Sequence, residues 1–473
     1  MYRPAPIFPG KSVTSTPASA NLMVVNVDQS AAVVYRENAM RDMKAFSENE
    51  ETIGSVQRIW QNFEGMHRRR NCHILLPGHT EITQIVVYVA ILLLVSNVAA
   101  AGEPPDNAAL LYYQIFLEYE EPNQPIRWAL SDFCKGLIGC NEAITQHIKE
   151  NHHVIDRVVK AADIPKCDWG YDCSEAIFDI NAPSLPPLNR ITLLLAADAR
   201  WLAEQGKYTE ALDRSVALRK IALHAGYRTL NFYLLGNQTN RIANETAQYV
   251  LGFTPSGVDE STLTRFKSRL TQTEATFPSL ASALTQEAHM WIAMMQRDKI
   301  QLLVNVFPEG SLAGIALKPM LARIPRNDDV FLQRSRAYYL NALDMVVSIL
   351  ESRLSYPQKC AKLDDLVEQW GREAENNVDA ILTELFFPMR TELYRSVIRQ
   401  QTQLNALKTA IDLYSIKART GQLPDTLPLD SPTDLFSGKP FAYAKTAEGF
   451  ILRCQGKEDP KKDTVHEYKF KVK

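Results

Sequence analysis

Cysteine, histidine and carboxylate side chains are where chemistry could reside, and their spacing limits what that chemistry can be. Cys134, Cys140, Cys167, Cys173, Cys360 and Cys454 follow residue 101, with Cys72 upstream of them. In an oxidising compartment such an even set reads as a disulfide framework. Cys134/Cys140 and Cys167/Cys173 share a C-x5-C spacing, so local bridges and crossed ones both fit. Scattered buried thiols are the equally weighted alternative. The short Cys spacing of a zinc site is not met. His147, His152 and His153 crowd one helix, but rings five and six positions apart fall on poorly matched faces, so a solvated helix end is expected rather than a ligand set. Asp168, Asp172, Glu175 and Asp179 decorate the loop around Cys173 without calcium-loop spacing, and read as solvated acids. Asp434 and Lys439 in DLFSGKP lie among turn-forming residues and are expected to set turn geometry.

Larger motifs are missing. Gly206-Lys207, Gly438-Lys439 and Gly456-Lys457 lack the first glycine of a phosphate loop, and there is no dinucleotide fingerprint, nucleophile elbow or zinc-protease helix. No catalytic residue, metal ligand or cofactor is therefore called from the sequence.

The elements that must position these residues come after an apolar run, Ile82–Ala101. Met66, His67 and Arg68-Arg69-Arg70 precede it, Glu103 and Asp106 follow it, and Ala99, Ala100 and Ala101 offer a small-residue cleavage site. A basic start, an apolar centre and an A-x-A end form the pattern of a secretory signal. Two expectations stand side by side: Met66 starts a signal peptide cut near Ala101, or residues 66–101 persist as an anchor. A run buried in the protein core is the competing possibility. Export predicts a periplasmic or cell-envelope location, with the membrane as partner at least during transfer.

At 473 residues, 46% hydrophobic and 22% charged, the chain can bury a large core. A net charge of −2 gives no overall basic footprint for nucleic acid. Residues 1–65, rich in proline and serine at their start, read as a disordered leader that need not be translated. Residues 102–420 read as a mainly α body, an irregular array of helical hairpins, with a hinge expected near 307–325. Helices are expected over 107–119, 128–134, 141–162, 188–205, 208–225, 228–251, 259–273, 279–305, 328–355 and 388–420. Residues 421–473 change character: 441–445 and 450–454 flank a TAEG turn as a β-hairpin, and 467–472 alternates like a third strand.

LAEQGKYTEAL resembles the turn and second-helix start of a tetratricopeptide repeat, but no second copy lies one period away. Cys167-Asp168-Trp169-Gly170, the ARWLAEQGKYTEALDRSVALRKIALHAG hairpin and the ending from Tyr414 through Asp434-x-Phe436-Ser437-Gly438-Lys439-Pro440 to Gly449-Phe450 together resemble a large group of exported helical proteins of planctomycete-type bacteria. That likeness implies export and a helical body and brings no activity with it. The closing stretch also looks like the C-terminal segment of type II secretion pseudopilins. The function expected is a helical scaffold or protein-interaction role in the cell envelope. An enzyme with a site assembled from distant residues, or a component of a secretion or pilus-like assembly, are the alternatives.

Overall fold

The mainly α architecture follows from caps and stops that can be named residue by residue. The computed structural model describes residues 106–171, 184–226, 229–253, 258–296, 299, 319–320, 322–325, 328–387, 391–459, 462 and 465–472. Ile82–Ala101 with Ala99, Ala100 and Ala101, the leader, Cys173, and Asp172, Glu175 and Asp179 lie outside them.

A first helical layer comprises α1 (Ala108–Glu118), α2 (Gln124–Cys134), α3 (Glu142–Glu150) and α4 (His152–Asp163). Asn107, Asn123 and Asn141 cap α1, α2 and α3, each side chain accepting an N–H of the first turn at 3.2, 3.1 and 2.9 Å. The sequence predicts one helix over 141–162. It breaks at Asn151, whose side chain folds back to donate to the His147 carbonyl at 2.9 Å.

The spine follows: α5 (Leu185–Glu204), α6 (Tyr208–Ala225) and α7 (Leu230–Leu251). The turn between α5 and α6 is set by backbone hydrogen bonds around a left-handed glycine. Gly206 sits at φ 77°, Lys207 N–H donates to Leu202 O at 2.9 Å and Gly206 N–H to Ala203 O at 3.1 Å. This closes the end of α5 with a left-handed glycine, which other residues adopt only under strain. α6 is buried on both faces, with Leu212 and Val216 in one hydrophobic cluster and Leu218 and Ile221 in another. The first layer packs into the second of these clusters and the later helices and the C-terminal sheet into the first, while α5 and α7 contribute to both.

α6 and α7 touch backbone to backbone. A Cβ on Gly236 would lie 2.7 Å from Ala222 O and 2.9 Å from Gly226 Cα. Alanine normally favours a helix over glycine by about 1 kcal/mol. Here the contact overrides that gain, because forced repacking costs about 1–3 kcal/mol. Gly236→Ala is therefore expected to lower the urea midpoint, and a raised midpoint would refute this close approach.

Beyond α7 come α8 (Glu260–Thr276), α9 (Leu280–Met294), α10 (Asp329–Glu351), α11 (Tyr356–Asn376), the 3-10 turn Val378–Ala380, α12 (Ile381–Phe386) and α13 (Thr391–Thr420). α11 and α12 are absent from the sequence expectations. Pro357 looks like a breaker but sits in the first turn of α11, where its missing N–H removes nothing. Within the expected hinge at 307–325, Ile324 is buried and Arg323 Nη1 donates to Ala374 O at 2.8 Å. Leu284 and Met294 before that stretch and Phe331 and Tyr339 after it share one cluster.

A polar staple joins α6, α7, α8 and α13. Arg219 donates to Asn244 Oδ1 at 2.8 Å and Thr273 Oγ1 at 3.1 Å, and Asn244 donates to Gln400 O at 3.3 Å. Lys408 pairs with Glu274 alongside. Burial pulls the Arg219 guanidinium down to about 10, with Glu274 opposing that shift.

The C-terminal segment is β, as the alternation predicts. β1 (Thr433–Asp434) pairs with β2 (Lys439–Pro440), and a separate antiparallel sheet has the order β3 (Ala442–Thr446), β4 (Gly449–Arg453), β5 (Glu467–Lys471). Phe450, Leu452, Tyr468 and Phe470 are buried at period two, while Lys469 and Lys471 point to solvent. Tyr414 Oη donates to Lys471 O at 2.6 Å and Gln248 Nε2 to Lys469 O at 3.0 Å, tying the sheet to α13 and α7.

Candidate functional site

A cleft of about 530 Å³ with a largely polar lining lies in the first layer. Glu118 and Glu120 come from the end of α1 and the connector after it, Ile126 from α2, Gln146, His147 and Glu150 from α3, and His153 from α4. The carboxylates are largely engaged. Glu118 pairs with Arg157, Glu121 with Arg190 and with Arg127 at 3.3 Å, and Glu150 accepts from Gln146 at 2.7 Å.

His147 lines the cleft. It is buried, which corrects the solvated helix end expected for it; His152 and His153 are exposed. Ile144, His147, Ile148 and Asn151 recur at helical spacing, and that inward stripe was the available signal. Asn151 Nδ2 lies 3.4 Å from His147 Nδ1 and Tyr119 Oη 3.2 Å from Nε2. An amide nitrogen only donates, so Nδ1 accepts and the neutral ring carries its hydrogen on Nε2, directed at Tyr119. Burial lowers the His147 pKa, with Glu150 opposing, and burial raises Tyr119 to about 12, with Arg190 and Arg127 opposing. The pair offers hydrogen bonds to a ligand, but neither a tyrosinate nor an imidazolium at neutral pH. Among the described residues no group of three or more His, Cys, Asp or Glu could hold a metal ion.

The described cysteines, Cys134, Cys140, Cys167, Cys360 and Cys454, are all free thiols. They lie in separate surroundings. Cys134 Sγ donates to Leu193 O at 3.5 Å, Cys140 Sγ is 3.3 Å from Thr145 Oγ1, Cys360 neighbours Tyr356 and Arg395, and Cys454 neighbours Asp434 and Tyr468. Burial pushes the Cys134 and Cys167 thiols up to about 12 and raises Cys140, Cys360 and Cys454 as well. A thiol that stays protonated at neutral pH is a poor nucleophile, so none of these five supports covalent catalysis.

Asp168 is structural. Asn107 Oδ1 accepts its N–H and Asn107 Nδ2 donates to its carbonyl, both at 2.8 Å, so the cap of α1 also clamps the Cys-Asp-Trp-Gly motif. Trp169 lies between α1 and α6, stacked on Tyr112 and Phe116. Asp434 is fully buried and organises its turn as expected, whereas Lys439 is exposed on β2. The sequence reading misses His224, a buried imidazole on α6, and Asp198, a buried carboxylate whose Oδ2 accepts from Arg214 at 2.9 Å. Both lie in apolar-patterned helices with partners far along the chain, so spacing alone gives no signal for either. No family model, curated protein or solved structure matches the chain.

Proposed function

We propose that this protein is an exported helical interaction protein of the cell envelope, acting as a scaffold through its first helical layer. The observation that carries the reading is the outward exposure of Leu117, Trp128, Leu137 and Ile138, all in or beside α1 and α2. Trp128 is 62% exposed and Leu137 70%. Helical spacing sets Trp128 opposite Leu130 and Phe133, which are buried, so it faces solvent by design of the helix. Tryptophan is the residue most enriched at the energetic centres of protein interfaces. Export rests on Ile82–Ala101 and the arginines before it, and on the likeness to exported helical proteins. Among the described residues no helix is long and apolar enough to cross a membrane.

Two measurements test this. A photo-crosslinking side chain at position 128 or 137 of the full chain is expected to give one protein adduct of common size, with none from position 271 on the exposed face of α8. Equal yields from all three positions would end the interface reading. Fractionation and N-terminal sequencing of the mature chain test export: a start at Gly102 marks cleavage and an intact leader in membranes marks an anchor. Full-length protein confined to the cytoplasm refutes both. A second reading, an enzyme with its site in the His147 cleft, is favoured by the Tyr119–His147 pair. Turnover lost in His147→Gln with the fold intact would establish it.

A further inference from the structure

His224 stands where four stretches of chain meet: α1, the exit of α4, the Cys167–Gly170 motif and α6, which carries it. Its Nδ1 lies 3.0 Å from Tyr112 Oη, and its ring also hydrogen-bonds the Ile164 backbone. Trp169 Nε1 donates to the His224 carbonyl at 2.9 Å, and the Tyr112 ring meets the imidazole edge-on at 5.7 Å. A backbone carbonyl only accepts, so the neutral ring donates to Ile164 and accepts from the Tyr112 hydroxyl at Nδ1.

A proton on Nδ1 reverses the second of these bonds. Imidazolium and phenol would then both direct hydrogens into the same gap. Tyr112 would have to turn its hydroxyl hydrogen away, yet its side chain is fully buried and His224 is its hydrogen-bond partner among the described residues. A buried donor left without an acceptor is destabilising. The charged and titratable groups around the pair do not rescue it. Lys220, one turn earlier on α6, repels a second cation, and Asp163 at the end of α4 is already held by Lys220 at 2.7 Å. Cys167, on the motif, is a raised thiol and stays neutral.

We propose that His224 is an acid-release latch: one proton on its imidazole unseats α1 and the 164–171 segment from α6 and opens the first helical layer. The hydrophobic contacts of that layer form a cluster distinct from the one holding α8 to α13 and the sheet, so the layer can open while the remainder stays packed. Burial, helped by Lys220 and opposed by the Ile164 bond, holds the imidazole down to about 4 in the folded state, against about 6.5 in the unfolded chain. The sign follows. The latch is fully stabilising above the unfolded value, weakens as pH falls from about 6.5 toward about 4, and changes no further below that. Ordinary carboxylates titrate only at the lower end of this interval.

Hydrogen–deuterium exchange on the full chain, corrected for intrinsic rates, reads the effect. Between pH 7 and pH 4.5, peptides covering 108–118 and 164–171 are expected to lose protection on the order of a hundredfold, with 391–420 unchanged. In His224→Gln the amide still donates to Ile164 and accepts from Tyr112 but does not titrate, so the acid step should vanish. The same step in that variant, or a loss spread evenly into 391–420, overturns the proposal. If His224→Gln fails to fold, NMR titration of the His224 ring in the wild-type chain serves instead: an imidazole that takes up its proton at or above the ordinary histidine value of about 6.5 with the first layer still protected refutes the latch.

Discussion

Asp434→Ala is expected to dislodge the C-terminal β segment and to lower global stability by at least about 3 kcal/mol. The carboxylate has no solvent exposure and accepts from Phe436 N at 2.9 Å, Ser437 Oγ at 2.7 Å, Gln455 N at 2.8 Å and Gly456 N at 2.9 Å. These donors come from the turn after β1 and from the chain leaving β4, so one side chain fixes two loops to each other. Removing it strands backbone N–H groups, each costing about 1–3 kcal/mol when buried. Its surroundings also leave no space for the loops to relax: a Cβ on Gly456 would lie 2.5 Å from the Phe436 carbonyl carbon. Asp434→Asn should be nearly as harmful, since an amide nitrogen would face N–H donors. Limited proteolysis gives the readout. Early cleavage within 433–459 in both variants is the expected result, and wild-type resistance with an unchanged urea midpoint would show that the turn holds itself.

Trp169→Ala is expected to remove about 3–5 kcal/mol and to do so through the first helical layer. The indole is 5% exposed, stacks on Tyr112 at 5.5 Å and Phe116 at 6.2 Å, and meets the edge of Tyr113 at 5.7 Å. Truncation leaves a cavity among these rings and takes the donor from the His224 carbonyl. Trp169→Phe keeps most of the packing and loses the hydrogen bond alone, so it should fall by about 1–2 kcal/mol. Near-UV circular dichroism and urea unfolding separate the two. Equal midpoints for the phenylalanine and alanine variants would mean that ring packing contributes little, contrary to the stacked geometry.

The fold class was readable because it rests on local physics. Periodicity and the break at Gly206-Lys207 place α6 at Tyr208–Ala225 as expected, and alternation around TAEG gives the β3–β4 hairpin nearly to the residue. Where the reading failed, a local cue pointed the wrong way or was absent. Pro357 masks α11 although it sits at a helix start that tolerates proline, and the continuous polarity of 141–162 hides the break at Asn151. The spacing of His147 to His152 and His153 points to a solvated helix end, whereas its place beside Ile144 and Ile148 on the inward stripe decides its burial in the folded chain.

The sequence by itself determined the helical body, the closing β segment, the tight turn at Gly206 and the apolar run that bears on export, all features written in neighbouring residues. Only tertiary structure decided that Trp169 bridges α1 and α6, that Arg219 is stapled by Asn244 and Thr273, and that Tyr112 and His224 share one hydrogen bond. Those partners lie 25 to 112 positions apart along the chain. Spacing within a helix or strand reports which face a side chain occupies, but not which distant face meets it, and the energy of a buried polar group depends on that second fact.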